Sequence, residues 1–539
     1  MRRQCLMSDH RKAALGALVL MLAMLLAGQS ALAQSPQNDE LSRLIERIEK
    51  LEVEKQDLSQ RLETIERAGL TAPDQKFPDL PAATGVAAFD APTRAASTEP
   101  LEQGTEAESA AAASAARLDA QGEQLSALQK AFKAFQQRAA QKKYPNLQMN
   151  GVFQADAGWV HQDEDSLNEF GRIEDGAGFR RARLSAKGSV AEHTNYLFQF
   201  DLGTAGIGRP TITDIWVEQE EVPYLGTVRA GQWKQPFSLE VVSSFRYTTL
   251  MERSSLFQAF TPFRRLGVGF YDQNADQTIT WAVSGFRSGQ DQFGGTYSNN
   301  SGYGTAERVT FLPCWSDEGQ QYLHLGLGHF FNAPVNGVVN FRTIPEMFVG
   351  AHGNDIPVGS SGQPIPGPLN GVPFFVETGN LNVNVYNVLG TEFLWVKGAF
   401  SLQSEAMVNF VDQSGGNPMG VLPGMYAQVG YFLTGEHRPY DRKAGAIDRV
   451  IPYQNMRFWR DNGNGPGFGA WEVAARFSYL DLNDENIRGG TLTDYTVGVN
   501  WYMNPYLKTV FNWVHAIADN AAFPKSQTDL FGIRAQVDF

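Results

Sequence analysis

At Pro145 the hydrophobic period of the chain changes, and that change limits the possible folds more than any other feature. Beyond it, Leu147, Met149, Phe153, Ala155 and Trp159 alternate with Gln148, Asn150, Gln154 and Asp156. The alternation returns in Trp471, Val473, Ala475, Phe477 and Tyr479, and in Tyr495, Val497, Val499 and Trp501. It closes the chain in Phe531, Ile533, Ala535, Val537 and Phe539. A period of two marks a strand with one apolar face. Each run is about ten residues long with aromatics near its ends, as a tilted strand crossing a bilayer requires. Gly- and Pro-rich stretches such as 353–373 separate the runs.

A soluble sandwich also alternates, but it hides its apolar face between two sheets. Residues 144–539 are very long for one sandwich, and their strands carry aromatic ends. A closed barrel satisfies every backbone N–H and C=O, which a bilayer demands. About 16 strands would share the segment at roughly 25 residues each, connections included. The expected fold is an all-β transmembrane barrel of about 16 antiparallel strands, greasy outside and wet within, preceded by an α-helical coiled-coil extension. An even strand number places both barrel ends on one side. Counting back from Phe539 puts residues 435–470 on that side, where turns are short. Either that connection is unusual or it hides a strand.

Ahead of Pro145 the chain reads as four segments. Residues 1–33 are expected to be a secretory signal: Arg2, Arg3, Arg11 and Lys12, an apolar run from Ala13 to Ala27, then Ala31-Leu32-Ala33 for cleavage. In 34–68, Leu41, Ile48 and Leu62 fall on heptad position a and Leu44, Leu51, Leu58 and Ile65 on d, with Lys55 interrupting the seam. That spacing predicts a coiled coil. A Pro- and Ala-rich linker follows over 69–106. A second helical segment spans 107–143, and the barrel takes 144–539.

Charge and motif content exclude several function classes. Lys+Arg total 45 against 58 Asp+Glu, a net −13, which disfavours a general nucleic-acid binder. Mean hydropathy is −0.30, and no stretch past the N-terminus approaches a spanning helix. Cys5 lies in the expected signal, so Cys314 is left without a disulfide partner. No zinc-ligand, H-E-x-x-H or P-loop pattern occurs. His161, His193, His324, His329, His352, His437 and His515 form no nucleophile-activating motif. No metal, cofactor or enzymatic activity is expected.

Several blocks are more specific. They are Phe179-Arg180-Arg181-Ala182-Arg183-Leu184 with Lys187-Gly188, Gly231-Gln232-Trp233-Lys234-Gln235-Pro236-Phe237-Ser238-Leu239-Glu240, and Leu250-Met251-Glu252-Arg253-Ser254. Tyr431-Phe432-Leu433-Thr434-Gly435-Glu436, Gly469-Ala470-Trp471-Glu472 and Asn500-Trp501-Tyr502-Met503-Asn504-Pro505 follow in order. Together they resemble the phosphate-selective porin O and P family. The resemblance implies a 16-stranded porin, usually trimeric, conducting small anions across the outer membrane. The coiled-coil extension is not part of that family's compact form; beside a trimeric barrel it suggests a three-stranded periplasmic stalk.

Anion preference requires basic side chains facing a narrow lumen, where low-dielectric walls limit screening. By parity Arg181, Arg183, Ser185 and Lys187 share one face and Ala182, Leu184 and Ala186 the other, which suits lipid. Successive inward cations would lie roughly 7 Å apart. Arg180 has the opposite parity and is placed at the rim. The family's basic motif matches Arg180 and Arg181, whereas Arg183 stands where the family tolerates other residues. Pro236 and Gly231 are poor in a central strand, so the segment around Lys234 is expected to leave the wall. Part of 237–265 would then form a constriction lined by Arg246, Arg253, Arg264 and Arg265. The plain alternative is that these arginines pair with acids such as Glu240 and Glu252. Arg476 and Arg534 also face the polar side. Asp201, Asp214 and Glu218 would orient the arginines or cancel them.

The expected function is passive diffusion of small inorganic anions, with phosphate or polyphosphate as candidates. The expected partners are outer-membrane lipid and two further copies of the chain. A second reading is a structural barrel whose periplasmic coiled coil ties the outer membrane to the cell wall.

Overall fold

The computed structural model describes Ser126, Lys130 and residues 144–202, 211–288, 302–347, 372–457 and 467–539. The expected signal, coiled coil and linker lie outside the described residues. The chain divides into a unit up to Lys142 and a unit from Lys143 to Phe539. In the first, Ser126 and Lys130 are helical.

The second unit is a closed barrel of sixteen antiparallel strands. They are β1 (Gln148–Gln162), β2 (Gly176–Ala191), β3 (Thr194–Asp201), β4 (Thr211–Val222), β5 (Gly226–Lys234), β6 (Arg264–Gln273), β7 (Ile279–Ser288) and β8 (Gly302–Ser316). After them come β9 (Gln321–Ala333), β10 (Leu381–Lys397), β11 (Phe400–Gln413), β12 (Gly420–Phe432), β13 (Ala470–Asp484), β14 (Ile487–Asn504), β15 (Leu507–Asp519) and β16 (Ser526–Asp538). Each pairs with its successor, and the seam closes between β1 and β16 from Val152↔Asp538 to Gln162↔Thr528. Closure leaves no free edge.

The alternation reads out as expected. Phe531 is 43% exposed and Tyr495 45% exposed on the outside, whereas Thr496 and Asn500 are buried inside. Near the end that carries the short turns, Trp471 and Trp501 stack at 5.1 Å, and both indole N–H groups donate to the Phe468 carbonyl. An amphipathic ring at that level suits a bilayer interface.

The interior departs from the expectation of a wet cylinder. Val388, Met407, Val411, Leu422, Leu480, Val514 and Leu530 point inward and are buried. They pack against Phe237, Met251, Leu256 and Phe260 from the β5–β6 connection and against Phe341, Met347 and Phe375 from the β9–β10 connection. Part of the lumen is therefore a protein core. Phe237 is fully buried beside Phe330, with ring centroids 6.1 Å apart. Glycines make its seat, since a Cβ at Gly328 or Gly390 would stand 2.9 or 3.0 Å from its ring. Phe237→Ala is expected to cost about 3–5 kcal/mol by leaving a cavity there, a loss that urea unfolding read by tryptophan fluorescence will register.

Among the described residues of 433–469 there is no wall strand. Residues 440–447 instead form a small hairpin inside the barrel, Tyr440–Asp441 against Ala446–Ile447.

Candidate functional site

The chain leaves the wall after Lys234. Gly231, expected to lie outside the wall, stays within β5 at φ +136°, a conformation glycine tolerates. The connection then folds inward through two short helices, α1 (Leu239–Val242) and α2 (Leu256–Phe260). Glu405 on β11 receives its start, accepting from the Leu239 N–H at 3.0 Å and the Glu240 N–H at 2.9 Å. On the far wall Arg476 reaches Glu240 at 3.2 Å and also pairs with Glu346. Lys234 Nζ donates to the carbonyls of Val241 and Ser243, both at 2.8 Å. Arg253 donates to the carbonyls of Glu240 and Ser243 at 2.5 and 3.0 Å. The expected constriction loop is therefore pinned across the lumen.

Arg180 corrects the sequence reading. It is not at the rim but 7% exposed inside the barrel. A register shift between Gln154 and Ala155 pairs Gln154 with Arg181 and Ala155 with Phe179, leaving Arg180 as the bulged residue. A bulge sets two successive side chains on one face, which strict alternation does not foresee. Arg180 and Arg181 thus both face inward. Arg180 Nε lies 3.0 Å and Arg181 NH2 3.1 Å from the Glu252 carboxylate, and Arg534 from β16 joins at 2.6 Å. Burial alone would push the Glu252 carboxyl up, but the surrounding guanidiniums hold it well below the usual carboxylate range.

Other basic residues extend the cluster. Arg183 meets Asp201 at 2.6 Å and Arg264 meets Asp214 at 2.8 Å. Phe245 lies under both Arg181 and Arg183, 4.7 and 4.6 Å from the ring centre. Arg246 stands 3.5 Å from Asp538, which Arg449 also holds at 2.8 Å. Burial lowers the Arg253 guanidinium to about 10, against the attraction of Glu240 and Glu252, so it stays charged at neutral pH. Arg265 is buried beside them and donates to the Arg264 carbonyl at 2.9 Å. Lys187 is exposed toward the end of β2 and takes no part in the contacts described here. Of the four arginines expected at the constriction, the plain alternative of pairing with acids holds for Arg246, with Asp538, and for Arg264, with Asp214; Arg180, Arg181 and Arg183 on β2 are paired with acids as well. The described hydrogen bonds of Lys234 and Arg253 go to carbonyls instead.

Parity also exposes residues the sequence reading passed over. Arg308 is inward on β8, paired with Glu392 at 2.7 Å and donating to the Gly445 carbonyl of the hairpin. Lys508 is inward on β15 and donates to the Thr248 carbonyl at 3.1 Å. Arg438 and Arg449 had no such signal, because 433–469 carries no periodicity. Arg438 pairs with Glu472. Loop and hairpin meet inside the barrel, where the Ile447 N–H donates to Ser243 Oγ at 3.0 Å and Arg449 reaches the Tyr247 hydroxyl at 3.3 Å. Beside that junction lies a cavity of about 630 Å³, lined among others by Lys234, Val242, Arg308, Asp441 and Lys443.

Comparison with known proteins bears on this interior. The chain is 24% identical over 409 residues to Porin O of Pseudomonas aeruginosa, covering 71% of this chain and 83% of that protein. It is 25% identical over 515 residues to an uncharacterized protein of Caulobacter vibrioides, covering 92% and 90%. Among solved structures, an anion-selective porin from Comamonas acidovorans aligns at 11% identity and a TM-score of 0.44, over 73% of this chain and 99% of that one. The sequence profile of the family described as phosphate-selective porin O and P matches residues 147–539, the whole barrel. A sixteen-stranded wall, an inward loop and a profile spanning both lead to one conclusion: this chain belongs to the phosphate-selective porin O and P family.

Proposed function

We propose that the protein is an outer-membrane porin for passive diffusion of small anions, with phosphate or polyphosphate among the candidates. It would act as a homotrimer, its short-turn end and N-terminal extension facing the periplasm. One observation carries the anion preference. Lys234 and Arg253 are held by main-chain carbonyls in the midst of the Arg180–Arg183–Arg264 cluster, and a carbonyl does not cancel their charge. A buried surplus of positive charge beside low-dielectric walls lowers the energy of a passing anion.

The reversal potential of the purified protein in a planar bilayer under a KCl gradient tests this reading. Chloride is expected to dominate, and cation preference would refute it. Lys234→Gln with Arg253→Gln keeps N–H donors for the same carbonyls while removing two charges. The pair should lower the chloride-to-potassium permeability ratio by roughly three-fold or more. An unchanged ratio removes these two residues from the pathway.

A further inference from the structure

The start of α1 rests on one buried carboxylate. Glu405 Oε2 accepts from the Leu239 N–H at 3.0 Å, and Oε1 accepts from the Glu240 N–H at 2.9 Å and the Tyr426 hydroxyl at 2.7 Å. All three donors are neutral, and none of the described contacts of this carboxylate is with a cation. Its neighbour is another acid. Glu405 stands directly opposite Glu392 in the register of β10 and β11, a position in which like charges repel. Glu392 is compensated by Arg308, through bonds of 2.8 and 2.7 Å, and by His324 Nε2 at 3.0 Å. Glu405 has only the loop amides and a hydroxyl.

The groups that face Glu405 are therefore Glu392 from β10, Tyr426 from β12 and Glu240 from α1. Arg308 and His324 stand behind Glu392. Arg476 from β13 reaches Glu240 at 3.2 Å and lies 6.0 Å from the centre of the Tyr426 ring. We infer that Glu405 is the positioning residue of the constriction loop, that its ionised form alone seats α1, and that proton uptake there frees the loop. A carboxylate offers lone pairs to all three donors together, whereas a carboxylic acid must turn its own O–H toward one of them. The consequence reaches the pathway, because α1 and the residue after it carry the carbonyls that hold Lys234 and Arg253. The inference rests on the porin reading and adds a control to it.

The test is single-channel recording of the full-length protein in a planar bilayer in KCl. The pH runs from about 8 to about 4, a span that covers ordinary and displaced carboxyl titration. Wild type should carry a steady current at the alkaline end and close about tenfold more often at the acid end, as loss of a charge-assisted hydrogen bond implies. Glu405→Gln, of the same shape without the charge, should close at the higher frequency at every pH. Glu405→Asp keeps the charge and should keep a pH course. His324→Gln removes the imidazole beside Glu392 and should leave the course as in wild type. A measurement on wild type alone serves if the variants do not assemble. Hydrogen exchange of the 239–243 amides, corrected for the intrinsic rate, should lose about tenfold in protection from the alkaline to the acid end. The inference is overturned if closing frequency and protection stay constant across the range. It is also overturned if Glu405→Gln retains the wild-type course, as a merely structural contact would, or if His324→Gln abolishes it. A wild-type protein that passes no current at any pH defeats the porin reading instead, so the two failures separate.

Discussion

Arg534→Leu should cost about 3–5 kcal/mol of barrel stability, because it leaves the buried Asp156 carboxylate without its cation and takes one of three guanidiniums from Glu252. Arg534 holds Asp156 through two bonds of 2.7 Å and Glu252 through one of 2.6 Å, and its side chain is only 2% exposed. Loss of the heat-resistant compact band in gel electrophoresis at lower temperature, with a lower urea midpoint, is the readout. The physical cause has its own control. Adding Asp156→Leu to Arg534→Leu removes the stranded charge together with the cation, while Glu252 keeps Arg180 and Arg181, so most of the lost stability should return. If the double variant is no better than the single one, charge burial is not the reason.

Excising the hairpin should enlarge the conducting section. Pro439 and Asp448 flank it, and the Asp448 N–H donates to the Pro439 carbonyl at 3.0 Å, so residues 440–447 can be replaced by two glycines without moving either end. Removal takes away Tyr440, whose hydroxyl meets His324 at 2.7 Å, and the Gly445 carbonyl that Arg308 holds. It also opens the cavity bounded by Asp441, Lys443 and Ala444. Single-channel conductance in KCl is expected to rise on the order of two-fold, as a wider aqueous section passes more ions. Unchanged conductance would mean that ions already pass elsewhere.

The wall was legible because period two is imposed by backbone geometry alone: Tyr495, Val497 and Phe531 had to share a face whatever surrounded them. The same rule misplaced Arg180, because a bulge is one extra residue whose cause lies in the partner strand. The loop's departure near Lys234 was legible from Pro236, and its basic residues from composition. Their partners were not. That Lys234 binds carbonyls while Arg264 binds Asp214 depends on where the loop comes to rest, which long-range contacts such as Leu239 with Glu405 decide. Nor does any sequence period reveal that inward Val388 and Leu480 are covered by Phe237 and its neighbours instead of by water.

The bond between Glu252 and Arg534 has a consequence for how the cylinder stays shut. Arg534 belongs to the strand that completes the ring, facing Asp156 across the junction of first and last strands. Loop docking and ring closure are thus linked by one shared free energy, and linkage of this kind runs both ways. Whatever pries Glu252 loose slackens the junction, and whatever strains the junction loosens the loop.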